Sequence, residues 1–266
     1  MPIHKALAGL ALATASFTLA ACGLGSASPV ENNGLDAVRD SGTLVVGTEG
    51  TYPPFSFHEG GTGDLTGYDV EIAQAVAGKL GLEAEFSEAQ WDALFAGLDA
   101  GRFAMIANQV TISPERADAY EFSEPYTVSP GVVVVRAGDT SISSLADLRG
   151  KTTAQSLSSN WYTLVQDNGA KVEAVEGWAQ AVALLDQGRV DATVNDKLTY
   201  LDYMRQTPDA PLAVAVQTED AALSAFAFAK GNTELRDAVD QALQELRADG
   251  TLAGISEKYF GENVSQ

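Results

Sequence analysis

Short apolar runs and amphipathic helical stretches alternate along the chain from residue 35 onward. Residues 43–46 and 105–110 have the composition of strands, bounded by turn-forming residues. Between them, Ile72, Val76 and Leu80 recur at helical spacing. This alternation predicts α/β layers with a largely parallel sheet. Ligands bind such sheets beyond the carboxyl ends of their strands, so the turns that follow strands are the places to search for a site.

Three polar segments follow predicted strands. They are residues 49–55, residues 109–116 and the pair Asn195-Asp196, which comes after a predicted strand at residues 190–194. Because the carboxyl ends of parallel strands meet at one edge of a sheet, these segments are predicted to border one site.

Arg116 stands in the first turn of a predicted helix, where a cation is disfavoured by free N–H groups and by the helix dipole. Ser113 is the predicted N-cap and Pro114 the first helical residue. Glu115 neutralises Arg116 poorly, because adjacent helical residues point in different directions. Two interpretations stay open: Arg116 bridges to a surface acid, or it forms with Thr111 and nearby amides a seat for an external carboxylate.

The N-terminus has the pattern of an export signal. Residues 1–21 carry one lysine and then an uncharged run too short to cross a bilayer comfortably. The run ends in Leu19-Ala20-Ala21-Cys22, which resembles the bacterial lipobox, in which the cysteine receives lipid; a plain signal peptide with a chance cysteine is the alternative. Residues 22–40 are predicted to be the lipidated N-terminus and a tether, and we expect membrane contact through the lipid anchor alone.

Composition excludes several function classes. A formal charge of −20 opposes binding to nucleic acid and to anionic lipid headgroups. The histidines are His4 and His58, and Cys22 is the single cysteine, so neither a catalytic triad nor a transition-metal cluster has material. We therefore expect no metal, no cofactor and no enzymatic activity.

Residues 67–72, with the sequence Gly-Tyr-Asp-Val-Glu-Ile, are followed by Val76-Ala77 and Leu80. This segment resembles the signature helix of the bacterial extracellular solute-binding proteins of polar-amino-acid ABC importers. The resemblance extends from residue 41 to residue 261. Within the family, residues 49–57 and 108–113 are most similar to cystine-binding members.

The resemblance implies a two-lobed, type II periplasmic-binding-protein-like fold of the α/β class. Each lobe would be a mainly parallel sheet flanked by helices, and two hinge strands would cross between the lobes near Val128–Val132 and Leu223–Ala227. Lobe 1 would then comprise residues 41–130 and 226–266, and lobe 2 residues 131–225. A ligand between the lobes would stabilise a closed form.

The same resemblance implies how the ligand's carboxylate is held. Arg116 would bind it through two parallel hydrogen bonds, assisted by Thr111. Asn108 opens the same segment. From lobe 2, a polar trio before a predicted helix near Trp161 would close on the carboxylate, although helix capping explains that trio equally. The trio is Ser158, Ser159 and Asn160.

Other residues would recognise the rest of the ligand. Gln109 would offer its backbone carbonyl to the α-ammonium, and Asp196 would be the counter-charge, unless it serves only as an N-cap. Tyr52 and Trp91 would sandwich the ligand side chain, an arrangement that suits a polarizable disulfide. Glu49 would meet a second ammonium, or is one more solvated acid.

The implied function is that of an extracytoplasmic substrate-binding lipoprotein, anchored to the cell membrane and facing the outside or the periplasm. It would capture a polar amino acid, with L-cystine as the expected ligand, and deliver it as a monomer to the transmembrane subunits of an ABC permease. One alternative is an exported enzyme of the same fold resembling cyclohexadienyl dehydratase, which turnover of arogenate or prephenate would reveal. An amino-acid sensor module is the other.

Overall fold

The computed structural model describes residues 33–265. Within that range the chain forms nine α-helices and twelve strands. The helices are α1 (Leu35–Ser41), α2 (Tyr68–Leu80), α3 (Trp91–Asp99), α4 (Pro114–Ala119), α5 (Asn160–Asp167), α6 (Trp178–Asp186), α7 (Lys197–Gln206), α8 (Thr233–Ala248) and α9 (Thr251–Phe260). The strands are β1 (Thr43–Thr48), β2 (Thr51–Tyr52), β3 (Ser56–His58), β4 (Leu65–Thr66), β5 (Glu83–Glu88), β6 (Met105–Thr111), β7 (Tyr120–Phe122), β8 (Thr127–Arg136), β9 (Thr152–Gln155), β10 (Lys171–Ala174), β11 (Ala192–Asp196) and β12 (Leu212–Ala229).

The main sheet is mixed. Its strand order is β10-β9-β11-β8-β12-β6-β1-β5, with β7 pairing onto β12. At one end β5, β1 and β6 run parallel, and at the other end β10, β9 and β11 run parallel. Between them β8 and β12 are antiparallel to each other. A small separate sheet has the order β2-β3-β4.

Local sequence explains the elements that border the cleft. Strand β6 is buried at every one of its 7 positions. Its sequence contains no charged residue, as expected for a strand in the middle of a sheet. Helix α2 buries Ile72, Ala73 and Val76 on one face and ends at Gly81, which adopts a left-handed conformation. Ser113 caps α4 by accepting a hydrogen bond from the Arg116 amide, and Pro114 follows at the first helical position, as predicted.

The cores divide the molecule into two lobes. We call lobe 1 the β5-β1-β6 end of the sheet with α1–α4, α8 and α9, whose core includes Leu44, Ile72 and Phe226. Lobe 2 is the β11-β9-β10 end with α5–α7, whose core includes Val134 and Leu185. Each lobe thus contains three parallel strands flanked by helices, which agrees with the predicted fold class.

Strands β8 and β12 connect the lobes. Val128 lies opposite Leu223 in their ladder, so the two predicted crossings are side by side. The register shifts between Gln217 and Ala221 on β12, where the strand bulges out of the ladder. In the described main sheet, the antiparallel pair of β8 and β12 lies between the two parallel ends, an arrangement suited to hinge bending.

Several boundaries differ from the sequence expectation. The predicted signal peptide and Cys22 lie outside the described residues. The predicted tether extended to residue 40, but residues 35–41 form α1, whose Val38 is buried in the lobe 1 core. Strand β11 begins at Ala192 and includes Asn195 and Asp196, so these two residues end the strand instead of following it. Among the described helices, none combines the length and the apolar character that crossing a membrane would require.

Candidate functional site

A cavity of about 610 Å³, including its mouth, lies between the lobes. It is bordered by the carboxyl ends of β1, β9 and β11 and by the C-terminal half of β6. The sequence predicted a site at such strand ends. Most of the predicted ligand-binding residues line it, and Thr111, Arg116 and Ser158 do not. The predicted residues that line it are Glu49, Tyr52, Trp91, Asn108, Gln109, Ser159, Asn160 and Asp196.

Arg116 lies at the edge of the cavity without a carboxylate partner. Its Nη1 donates to the Thr111 carbonyl and its Nη2 to the Ser158 carbonyl, both at 2.9 Å. The guanidinium carbon is 5.3 Å from the centroid of the Trp91 ring and 5.4 Å from that of Phe95. Burial lowers the pKa of Arg116 to about 10. Within residues 33–265 no acid forms an ion pair with it, so the surface-bridge interpretation has no support there.

Thr111 contributes differently from the prediction. Its carbonyl accepts from Arg116, whereas its hydroxyl oxygen is buried and has no partner in the described part of the chain. The residue borders a neighbouring groove beside β12 instead of the main cavity. Thr111 therefore positions the guanidinium, and its predicted contact with a carboxylate stays a prediction.

Ser158 connects the lobes. Its amide donates to Asp92 Oδ1 at 3.2 Å, and its hydroxyl donates to the same oxygen. Since its carbonyl also accepts from Arg116, both backbone polar groups of this residue contact lobe 1. Ser158 thus bridges the mouth of the cleft, and Asp92, which the sequence analysis missed, is its partner.

Ser159 and Asn160 sit at the start of α5. The Ser159 hydroxyl accepts from the amide of Tyr162 at 3.0 Å, so the capping interpretation holds for this residue. The helix begins at Asn160, one residue before the predicted position near Trp161. Both residues line the cavity as well, so capping and a ligand contact are compatible.

Asp196 is a buried acid with a free acceptor. It occupies the N-cap position of α7 but its side chain makes no capping hydrogen bond. Oδ2 accepts from the Tyr52 hydroxyl at 3.3 Å, while Oδ1 has no partner among the described residues. Burial raises its pKa to about 7. Capping alone therefore does not explain this residue, and a positively charged group in the cavity would satisfy it.

Tyr52 crosses the cleft from lobe 1. Its hydroxyl donates to Asn195 Oδ1 at 2.8 Å and lies 3.0 Å from the Thr199 hydroxyl, both in lobe 2. Its ring packs on Phe55, with centroids 5.0 Å apart, whereas the Trp91 ring packs on Phe95. The two aromatic residues line one cavity without touching each other as rings, so a sandwich around a ligand stays a prediction.

Glu49 is held by Asn108. The Asn108 Nδ2 donates to Glu49 Oε2 at 2.6 Å, and its Oδ1 accepts from the Glu49 amide at 2.8 Å. Burial is the main cause that raises the pKa of Glu49 to about 7, and the nearby charge of Asp92 adds to it. Glu49 is therefore not an ordinary solvated acid, and Asn108 acts by positioning it.

Gln109 has an unusual backbone. Its φ of 49° lies in the left-handed region, and the ladder between β6 and β12 shifts register opposite it, between Ala225 and Ala227. Buried Asp69 accepts from the Gln109 amide at 2.7 Å and from Nε2 at 2.6 Å. The carboxylate thereby stabilises a conformation that a regular strand excludes. The sequence analysis assigned no role to Asp69.

The sequence analysis assigned no ligand contact to several other lining residues, among them three at strand and helix ends of lobe 2. Gln155 ends β9, Glu176 follows β10, and Trp178 begins α6. The strand-end rule would have found Gln155 and Glu176, and Trp178 opens its helix as Trp91 opens α3. The acids that line the cavity are Glu49, Glu176 and Asp196, and its described lining contains no Lys, Arg or His.

Two lobes linked by paired strands, with a polar cavity between them, define the class of type II periplasmic binding proteins. The family model for bacterial extracellular solute-binding proteins, family 3, matches residues 44–262. The chain belongs to this family.

Individual proteins agree with this assignment. The chain is 46% identical over 269 residues to the L-cystine-binding protein TcyA of Bacillus subtilis, covering 99% of this chain and 100% of that protein. A structure of an ancestral arginine-binding protein bound to arginine has a TM-score of 0.77 at 38% identity, covering 83% of this chain and 99% of the other. The L-cystine solute receptor of Neisseria gonorrhoeae, in an unliganded open conformation, has a TM-score of 0.58 at 43% identity, covering 90% and 100%. The family and these relatives are binding proteins.

Proposed function

We propose that this protein is the extracytoplasmic receptor of an amino-acid ABC importer and that its ligand is L-cystine. The observation that carries the proposal is that two unsatisfied charged groups face each other from opposite lobes: Arg116, at the edge of the cavity, has no acidic partner in the described part of the chain, and Asp196, in the cavity lining, has one oxygen without a partner there. A zwitterion with its carboxylate toward the first and its ammonium toward the second would satisfy both groups.

The interaction energy is sufficient for a receptor. Hydrogen bonds to charged groups contribute about 1.5–3 kcal/mol each. A micromolar dissociation constant needs about 8 kcal/mol net, after the costs of ordering and closure. Two charged groups of the ligand, each held by more than one hydrogen bond, together with burial against Tyr52 and Trp91, reach this range.

The choice of cystine rests on similarity and on one acid. Two of the compared proteins carry cystine in their names, at 46% and 43% identity. Glu49 stands in the same cavity as Asp196 and is held by Asn108, which provides for a second ammonium. L-cystine has two ammonium groups separated by a disulfide, whereas an amino acid with an uncharged side chain has one.

A cationic amino acid is the second candidate. The cavity is lined by three acids and, among its described lining, by no basic side chain, which favours a ligand with surplus positive charge. L-arginine is therefore the comparison ligand, and L-glutamate, with its additional negative charge, is expected not to bind.

Hinge closure supports the receptor role. Contacts of Tyr52 with Asn195 and of Ser158 with Asp92 join the lobes across the cleft, so the structure is in a closed arrangement. A higher TM-score to a ligand-bound structure than to an unliganded open one is consistent with this state. We assign residues 41–130 and 226–266 to lobe 1 and residues 131–225 to lobe 2, with α1 added to lobe 1.

Calorimetry and thermal unfolding with a ligand panel test the function. L-cystine at 100 times its dissociation constant should stabilise the protein by about 2.7 kcal/mol. Strong binding of L-arginine with inert cystine would replace the proposed ligand and keep the receptor role. No response to any amino acid, or turnover of arogenate or prephenate, would overturn it.

The lipid anchor needs a separate measurement. We propose cleavage after residue 21 and lipidation of Cys22, from the Leu-Ala-Ala-Cys sequence. Mass spectrometry of the membrane-extracted protein should find a lipidated N-terminal cysteine. An unmodified Cys22 or a retained Met1 would contradict the anchor without affecting the ligand assignment.

A further inference from the structure

Two buried N–H donors in lobe 2 belong to side chains that line the cavity and have no partner among residues 33–265. They are Trp178 Nε1 and Gln155 Nε2. The two residues are 7% and 4% exposed, so little of either side chain faces bulk solvent. Buried polar groups without partners are rare and cost free energy, and two in one place indicate that an acceptor belongs there.

The backbone places the segments that carry these two residues next to each other. The Val175 amide donates to the Gln155 carbonyl at 3.1 Å, which joins the carboxyl ends of β9 and β10 just before α6 begins. The N-cap of α6 is Gly177, which has no side chain to cap the first amides of the helix. Gly177 lines the cavity beside Trp178. The free amides of this helix start add to the two side-chain donors and favour a negatively charged group.

An acid from the other lobe faces the same helix start. A Cβ placed on Gly177 would be 3.8 Å from Glu49 Oε1, so that carboxylate lies next to α6 across the cleft. Glu176 lines the cavity at the same corner. Donors for an anion and acids for a cation therefore lie side by side, which is the arrangement that a zwitterionic head group requires.

This corner is separate from the groups assigned to the first head group. Arg116 does not line the cavity, and it contacts the Ser158 carbonyl before α5. Gln155, Gly177 and Trp178 lie at the β9–β10 end of lobe 2. A ligand with one carboxylate toward Arg116 would need a second carboxylate at its other end to satisfy the donors of Gln155 and Trp178.

We propose that Trp178, Gln155 and the first amides of α6 form a subsite for the second carboxylate of a ligand with two amino-acid head groups, with Glu49 receiving the ammonium beside it. This inference rests on the proposed function and names the part of the cavity that distinguishes a ligand with two carboxylates from one with a single carboxylate.

The test compares two disulfides that differ by one carboxylate. L-cystine has two, and the mixed disulfide of L-cysteine and cysteamine keeps both ammonium groups but has one. Calorimetry is done on the Cys22→Ser protein, which has no thiol to exchange with either ligand because Cys22 is the single cysteine. The wild-type cavity should prefer cystine by roughly tenfold, the value of one charged hydrogen bond.

Trp178→Phe keeps an aromatic ring and removes the indole N–H. It should lower this preference severalfold toward equal binding while leaving the affinity for the mixed disulfide nearly unchanged. Gln155→Leu should act in the same direction. Trp91→Phe is the matched control: it also removes a partnerless indole N–H, but beside Arg116, and should change the affinities for both ligands alike.

The outcomes separate the two proposals. If wild-type protein binds neither disulfide, cystine is not the ligand and the subsite proposal fails with it, whereas binding of L-arginine would keep the receptor role. If it binds cystine but the preference survives in both Trp178→Phe and Gln155→Leu, or if Trp178→Phe weakens both ligands equally, the subsite is wrong and the receptor role stands.

Discussion

Replacing Arg116 by alanine is the most direct perturbation of the proposed site. The side chain donates to the carbonyls of Thr111 and Ser158 and lies over the rings of Trp91 and Phe95. Its charge has no acidic partner in the described part of the chain. The substitution therefore removes both a candidate ligand contact and a tie between the lobes.

The two losses have different sizes. Two hydrogen bonds to the ligand carboxylate are worth about 3 kcal/mol at the low end of the range for charged groups, which corresponds to a roughly 100-fold higher dissociation constant. The contacts within the protein are partly exposed, and their loss, with that of the cation–π contacts, should lower the free energy of unfolding by about 1–2 kcal/mol. Arg116→Lys keeps the charge without the two-pronged geometry and should lose about tenfold in affinity.

Calorimetry with L-cystine and with cystamine separates these roles. Cystamine has the ammonium groups and the disulfide but no carboxylate, so Arg116→Ala should weaken cystine binding and leave cystamine binding nearly unchanged. Urea unfolding verifies that the fold is intact. Equal weakening of both ligands would reduce Arg116 to a tie between the lobes, and an unchanged cystine affinity would refute the reasoning.

Three further predictions concern neighbouring groups. Ser158→Gly removes one hydrogen bond to Asp92. Because an exposed contact is worth about 1 kcal/mol or less, ligand release should become two- to fivefold faster in stopped-flow measurements. An unchanged release rate counts against a bridge between the lobes at Ser158. Asp69→Asn places an amide N–H against one of the two donors of Gln109. It should lower the free energy of unfolding in urea by about 2 kcal/mol and should also lower the ligand affinity. Wild-type values for both would show that Asp69 does not hold the backbone at Gln109. Because burial raises the pKa of Asp196 to about 7, the acid must lose its proton to accept an ammonium, so its titration should lower the affinity about fivefold between pH 7 and pH 6. Asp196→Asn should remove this part of the pH dependence and leave the part that Glu49 contributes, and a flat wild-type profile would contradict the assignment.

The fold was largely accessible from the sequence because its periodic signals are local. Helical spacing located α2, and strand composition located β1 and β6. The continuous apolar residues 132–135 cover only part of β8, which extends from Thr127 to Arg136. The remaining positions of β8 alternate between buried and partly exposed, so their pairing with β12 depends on a partner about 90 residues away that no local pattern reveals.

The site was predictable by residue type and strand end, and less so by contact. The strand-end rule brought Glu49, Gln109 and Asp196 to one cavity. The contact between Ser158 and Asp92 depends on how two lobes meet, and sequence spacing carries no information on that geometry. The support that Asp69 gives to Gln109 was missed for another reason: a buried acid at a helix start looks identical to an ordinary helix-stabilising acid.

Protonation of buried acids in and beside the cleft affects both the stability of the protein and its ligand affinity. Burial raises the pKa of Glu49, Asp69 and Asp196 to about 7 each. A pKa that is higher in the folded than in the unfolded chain adds stability below the unfolded value, near 4, and this stability is lost as the pH rises toward 7. The closed unliganded form should therefore be more stable near pH 5 than near pH 8, whereas ammonium groups bind the ionised acids. Ligand and protons thus compete for Glu49 and Asp196, so ligand capture near pH 7 should release protons. Calorimetry in buffers of different ionisation enthalpy measures this release, and a binding enthalpy independent of the buffer would refute the competition.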